Sequence, residues 1–167
     1  MNEADIDPVA ALRVRGWQSA YVDIIPQSYL DGMSAENDAQ RRREGFASSR
    51  GSVVDLVAVD EDGVPVGWIC FGPYRGETDA PIPGEVYAVY VEPTLMGRGI
   101  GRALLDAVHD HTEAKQFETM QLWVLRDNSR ARRFYEAAGY AADGAEESEM
   151  YGDVAATELR YRRSMPS

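Results

Sequence analysis

The segment Val91 to Leu105 reads VEPTLMGRGIGRALL. A β-prone run ends there, a loop follows, and Gly97, Gly99 and Gly101 stand at alternate positions before an apolar helical pattern starts. These residue types at this spacing suit an anion. The first N–H groups of a helix have no internal partner and point outward. The helix dipole places partial positive charge at the same end. Glycines remove the Cβ atoms that would hold a pyrophosphate away from the backbone, and they tolerate positive φ. Arg98 and Arg102 add formal charge beside them.

Two familiar phosphate loops do not fit. A Walker A loop requires GxxxxGK followed by Ser or Thr, and this stretch holds no lysine. A dinucleotide fingerprint requires GxGxxG, but Gly99 and Gly101 are followed by Arg102 and Ala103, so the third glycine is missing. Other chemistries have few residues to draw on. One cysteine, Cys70, excludes an intrachain disulfide and a CxxC metal site, and two histidines, His109 and His111, leave little for zinc or a Ser-His-Asp triad. No metal is expected. The histidines read as helix surface and edge residues, and Cys70, in an apolar run, as core.

The elements that must position the loop are legible on both sides. Helices are predicted over Pro8–Tyr21, Gln27–Gly32 and Ala35–Ser48. Ser52–Asp60 and Pro65–Tyr74 form a hairpin across EDG, Thr78–Gly84 is a loop, and Glu85–Val91 (EVYAVYV) is a strand stopped by Pro93. A helix follows over Gly101–Ala114, with Ile100, Leu104, Ala107, Val108 and His111 on one side. Thr119–Leu125 is a strand. Ser129–Ala138 is an amphipathic helix with Asn128 as N-cap and Gly139 as C′ stop. Tyr140–Ala142 is a short strand and Val154–Arg162 the last one. Strands first paired in a hairpin, then joined through helices, imply an α/β (α+β) sheet in a single domain spanning 1–167.

Composition supports a globular chain. Of 167 residues, 44% are hydrophobic and 27% charged, both ordinary for such a domain. No apolar run approaches the roughly 18 residues of a membrane span, and the start MNEADIDP is acidic where a secretion signal is basic. A cytoplasmic protein is expected, with no membrane partner. The net charge of −11 disfavours phosphate-backbone binding, so no nucleic acid is expected. The charge is uneven. Gly97–Ala138 holds seven basic and six acidic residues, against 17 and 28 in the whole chain, so the negative charge lies almost wholly outside it.

The glycine loop resembles the pyrophosphate loop of the GNAT superfamily of acetyl-CoA-dependent N-acetyltransferases, (Gln/Arg)-x-x-Gly-x-(Gly/Ala), here Met96-Gly97-Arg98-Gly99-Ile100-Gly101. Upstream, EVYAVYVEP is similar to the family's fourth strand. Downstream, NSRARRFYEAAGY (Asn128–Tyr140) resembles its second signature, N-x-x-A-x-x-F-Y-x-x-x-G-(Tyr/Phe). The likeness covers Val53–Tyr140. It implies a mixed central sheet of six to seven strands, splayed between strands 4 and 5 to admit the pantetheine arm, with about four flanking helices. Two departures stand out. Met96 replaces the usual Gln or Arg, and the family's opening strand has no counterpart before Pro8. The sheet edge there is left bare, covered by another segment, or completed in a homodimer.

The resemblance also implies roles. Acetylating an amine requires removing a proton from an ammonium whose pKa is near 10 by analogy with lysine. It also requires polarising the thioester carbonyl, protonating the departing thiolate, and holding the reactants together. Glu85 is the candidate base, directly or through water, against the plain reading of a strand-end carboxylate. Tyr135 is the candidate acid, whereas Phe134 reads as core. The backbones of Val89 and Val91 would meet the pantetheine amides, with Tyr90 between them turned to the other face. Met96, Gly97, Arg98, Gly99, Ile100, Gly101 and Arg102 would hold the pyrophosphate. Asn128 would serve both as cap and as cofactor contact, and Arg130, Arg132 and Arg133 face the 3′-phosphate of coenzyme A or plain solvent.

The acceptor is not fixed by family. In this family its groove is lined by the first two helices, the loop before the fourth strand, and the segment before the last strand. Those regions carry Trp17, Tyr21, Asp23, Tyr29 and Asp31; Tyr74, Glu77 and Asp79; and Asp143, Glu146, Glu147, Glu149 and Asp153. A cationic amine, small or on a peptide, is the expected acceptor. The N-terminal wording also resembles poorly assigned bacterial GNAT enzymes. Two alternatives stay open: a non-catalytic acetyl-CoA sensor, and a protein N-terminal or lysine acetyltransferase.

Overall fold

The computed structural model describes residues 1–46, 52–76, 82–115 and 117–165. Its helices are α1 (Ile6–Ala20), α2 (Gln27–Asp31), α3 (Ala35–Phe46), α4 (Ile100–Lys115) and α5 (Ser129–Ala137). Its strands are β1 (Val54–Val59), β2 (Pro65–Pro73), β3 (Gly84–Val91), β4 (Thr119–Leu125), β5 (Ala141–Tyr151) and β6 (Val154–Ser164). They form one mixed sheet of six strands in the order β1-β2-β3-β4-β6-β5. Only β3 and β4 run parallel among the described strands. The expected sheet is therefore present with six strands, flanked by five helices rather than four.

Alternation decides which residues meet the helices. On one face, Ile69, Phe71, Val86, Met120, Leu122, Val124 and Tyr161 pack against Leu104, Leu105 and Val108 of α4 and Tyr135 and Ala138 of α5. On the other, Trp68 packs with Val9 and Leu12 of α1, backed by Cys70, Ala88 and Tyr90. Each fully buried aliphatic side chain contributes about 1.5–3 kcal/mol, so both faces anchor the sheet. The α1 contact is close. A Cβ built on Gly16 would stand 2.7 Å from Tyr90 Cδ1. Only glycine lets the helix cross β3 at that point.

Strand β3 is the pivot. It pairs with β4 only at Gly84–Met120, Glu85–Gln121 and Val86–Leu122, although both strands continue past that point. Against β2 the register jumps from Ala88–Cys70 to Val86–Phe71, which leaves Tyr87 as the extra residue of a β-bulge. A bulge bends its strand and increases the twist. Here it coincides with the place where β3 leaves β4, and the last part of β3 is splayed as expected.

Three expectations need correction. The strand expected to be short, over Tyr140–Ala142, is β5, an eleven-residue edge strand that runs on through most of the segment before the last strand, paired with β6 and carrying a register shift between Ala142 and Glu146. Its side chains are exposed and charged, so no apolar alternation marks it. His109, expected at the surface, is buried beneath Tyr140 and Arg163. Phe134, expected as core, is only partly buried. At the sheet edge, the Met1 ammonium donates to the Asp55 carbonyl of β1 at 3.1 Å. No helix among the described residues is long and apolar enough to cross a membrane.

Candidate active site

The glycine loop is laid out as an open cradle. Gly97 and Gly99 have φ of 81° and 86°, and a Cβ on either would meet nothing within 4 Å. Left-handed backbone and empty space beside it are both what a close-approaching ligand needs. The first intrahelical bond of α4 runs from the Ala103 amide to the Gly99 carbonyl at 2.9 Å. The amides of Ile100, Gly101 and Arg102 lie before it and have no helical acceptor. Gly101 instead packs 3.5 Å (Cβ position) from Phe134 and Val91, seating α4 against α5 and β3.

From this cradle a cleft of about 380 Å³ runs through the splay between β3 and β4, a size suited to a small-molecule or cofactor arm. Met96 and the three glycines line its entrance. Val89, Tyr90 and Val91 form one wall and Trp123, Val124 and Leu125 the other. Asn128, Arg130, Ala131, Phe134 and Tyr135 enter from α5. The far end meets Gly16, Ser19 and Tyr21 of α1 and Glu158 of β6. The edge of β3 facing this cleft has no partner strand beyond Val86, so its amides and carbonyls are open to a ligand.

The individual side chains divide into groups. Arg98 is exposed and does not line the cleft, whereas Arg102 lines it and is tied to Asp106 at 2.9 Å and to the Ala137 carbonyl at 3.2 Å. Asn128 caps α5 through the Ala131 amide at 3.0 Å and also faces the cleft. Arg132 is engaged with the Tyr161 hydroxyl and the Arg126 carbonyl, which leaves Arg130 and Arg133 as the exposed cations of that helix. Tyr90 is half-buried, stacked on Trp68 at 6.2 Å, and its hydroxyl lies 3.4 Å from that of Tyr21.

Tyr135 is 8% exposed. Burial, with Tyr21 and Tyr140 nearby, pushes its phenol well above the ordinary tyrosine value. It therefore remains a proton donor. Glu85 has a different setting. It is 1% exposed and does not line the cleft. Arg75 covers it: the amide donates to Oε2 at 3.0 Å, and the guanidinium donates twice to Oε1, at 3.2 and 2.5 Å.

The expected acceptor groove is only partly assembled. Trp17 and Tyr21 meet edge to face at 4.8 Å, and Tyr29 and Tyr151 do so at 5.5 Å. Asp143 and Glu146 are ion-paired with Arg160 and Arg126. Glu77 and Asp79 lie outside the described residues. Sequence reasoning missed Tyr151 and Glu158, which sit on the last two strands with no motif around them. No group of three or more metal-ligating side chains comes together among the described residues.

The Acetyltransferase (GNAT) family model matches residues 16–140. The chain belongs to this family. Among curated relatives, the uncharacterized N-acetyltransferase YuaI of Bacillus subtilis (strain 168) is 33% identical over 133 residues, covering 80% of this chain and 73% of that protein. The mycothiol acetyltransferase of Kocuria rhizophila is 35% identical over 101 residues, 60% of this chain, and the match spans only 33% of that protein. The fold is that of the PaiA N-acetyltransferase from Thermoplasma acidophilum, solved with coenzyme A, with a TM-score of 0.75 at 17% identity over 98% of this chain and 95% of that one. The expected family and fold are thus found.

Proposed function

We propose that the protein transfers an acetyl group from acetyl-CoA to a primary amine. The observation that carries this reading is the continuity of the cleft, from the open glycine cradle, past the unpaired edge of β3, to Tyr135. The residues fit such a co-substrate. The amides of Ile100, Gly101 and Arg102 would hold the diphosphate, with the α4 dipole behind them. Met96, with no hydrogen-bonding side chain, adds only apolar contact there. The Val89 and Val91 backbones would pair with the pantetheine amides, and Asn128 and Arg130 would line the adjoining wall. Relatives whose names give them as acetyltransferases, and a structural neighbour solved with coenzyme A, point the same way.

Acetyl-CoA supplies an activated acyl carbon and a thiolate leaving group. Tyr135 supplies the proton that this thiolate requires, because burial keeps its phenol protonated. The Val89 amide would polarise the acyl oxygen. Glu85 can accept a proton from the amine only through water and with Arg75 displaced, since Arg75 supplies three donors to its two oxygens. We therefore assign it chiefly the task of fixing the start of β3. A cytoplasmic setting is in keeping with acetyl-CoA as the co-substrate. The acceptor is a cation, small or peptidic, in keeping with the net charge of −11.

A thiol-release assay tests the reading. The protein with acetyl-CoA is offered polyamines, arylalkylamines, amino acids and peptides, and amine-dependent release of free coenzyme A is expected with at least one. Tight binding of acetyl-CoA with no release across the panel would instead favour a non-catalytic sensor.

A further inference from the structure

The cleft contains a carboxylate that no motif marks. Glu158 stands on β6 opposite Leu125, the last residue of β4, at the end of the splay away from the glycine cradle. It shares that end with Tyr21 of α1. The Tyr151 hydroxyl donates to its Oε1 at 2.9 Å. Its Oε2 has no hydrogen bond among the described residues. Glu147 lies directly across on β5, and Glu149 follows two residues later on the same face.

The cations around this end are already engaged. Arg75 is bound to Glu85, Arg160 to Asp143 at 2.8 Å, and Arg13 to Asp38 at 2.9 Å. Glu147, Glu149 and Glu158 make no ion pair among the described residues. Their charge is left for something that enters. Burial, followed by the fields of Glu147 and Glu149, raises the proton affinity of Glu158 above the ordinary carboxylate value, against the Tyr151 hydrogen bond. Beside it, Tyr151 continues into a wall of rings: Trp17 stands 5.9 Å from Tyr151 and 4.8 Å from Tyr21. Of these rings Tyr21 lines the cleft, and its face suits an apolar stem and favours a cation nearby.

We propose that Glu158 receives the acceptor's ammonium group and takes its proton, and that the acceptor is a primary amine on an apolar stem lying along Tyr21, which Trp17 and Tyr151 back. This rests on the acetyl-transfer reading above and supplies the base that it lacks. The proton balance closes. The ammonium gives one proton to Glu158 Oε2, and the freed lone pair forms the N–C bond to the thioester carbon. The C–S bond breaks with its electron pair on sulfur, which takes the Tyr135 proton. The second proton of the new amide nitrogen returns to Tyr135, and Glu158 releases its own to water. One amide, one thiol and one solvent proton result.

The test uses the full chain with acetyl-CoA and three acceptors: 2-phenylethylamine, spermidine, and a short peptide with N-terminal Phe. Transfer is expected to 2-phenylethylamine or to the peptide in preference to spermidine, and those two arms separate a small acceptor from a chain terminus. Glu158→Gln is expected to lower kcat/KM by about 100-fold and to remove the acidic limb of its pH profile. The same change is expected to weaken calorimetric binding of the preferred acceptor by about tenfold, with thermal stability and acetyl-CoA affinity retained. Glu85→Gln is expected to keep the acidic limb. An acidic limb that survives in Glu158→Gln and vanishes in Glu85→Gln overturns the assignment, as does preference for spermidine. A protein that binds 2-phenylethylamine through Glu158 yet releases no thiol overturns the transfer reading and upholds the binding site.

Discussion

Glu85 and Arg75 form a pair of unequal burial: the carboxylate is 1% exposed and the guanidinium side chain 63%. Glu85 also stands at one of only three points where β3 is joined to β4. An inward carboxylate with an outward partner depends on that partner to remain charged. Arg75→Ala is expected to lower unfolding free energy by about 2 kcal/mol, discounted for the exposure of Arg75. Adding Glu85→Gln is expected to recover part of the loss, because it removes the charge left unpaired. Urea unfolding of the two single variants and the double variant reads the coupling; strictly additive losses would show that the pair does not act as a unit.

The cradle gives a cleaner separation of folding from binding. A side chain at Gly99 would project into open space, so nothing in the protein must move to admit it. The remaining cost is the left-handed φ of 86°, about 1–2 kcal/mol for a residue with a Cβ. Gly99→Glu is therefore expected to fold, with a modest drop in melting temperature. It places a bulky anion where the diphosphate would lie. Acetyl-CoA affinity by calorimetry is expected to fall by more than about 100-fold. Unchanged affinity would remove the loop from the binding site.

Much of this was readable from local chemistry. EVYAVYV announces a strand by its β-branched and aromatic residues, and the alternate glycines of the 97–101 loop require the positive φ that Gly97 and Gly99 adopt. Asn128 is a cap because its side chain reaches the amide three residues on. Features set by distant pairing were not readable. Strand β5 is held by β6 rather than by an apolar pattern of its own. Burial of His109 depends on Tyr140 and Arg163, 31 and 54 residues away. Glu158 reaches the cleft because β6 inserts between β4 and β5, an order that no stretch of sequence encodes.

Tyr135 should act on turnover rather than on folding or affinity. Its ring belongs to the core shared with Ala138 and Tyr140, and Phe keeps that ring. What Phe lacks is the phenolic proton. Tyr135→Phe is expected to lower kcat by about 10²-fold or more, with the KM for acetyl-CoA changed by less than a few-fold. Steady-state kinetics with the acceptor found by thiol release provides the measurement. An unaltered kcat would take the acid role from Tyr135.

His109 predicts a pH dependence of stability. Arg163 donates to its Nδ1 at 2.9 Å and its Nε2 pairs with the Tyr140 hydroxyl at 3.1 Å. That arrangement requires an unprotonated Nδ1. Burial, with the field of Arg163, lowers its pKa from 6.5 to about 4, although Asp106 opposes the shift. The unfolded chain thus binds this proton more readily than the folded one does. By linkage, the stability that the neutral imidazole confers is complete above about pH 6.5 and declines as pH falls toward 4. The decline amounts to roughly 2 to 3 kcal/mol. His109→Gln has no proton to gain in that window. Denaturant unfolding at intervals from pH 7 to pH 4 is expected to show a steeper loss in the wild type than in the variant. Carboxylate titration common to both cancels in the difference, and parallel curves would mean that His109 contributes nothing to acid sensitivity.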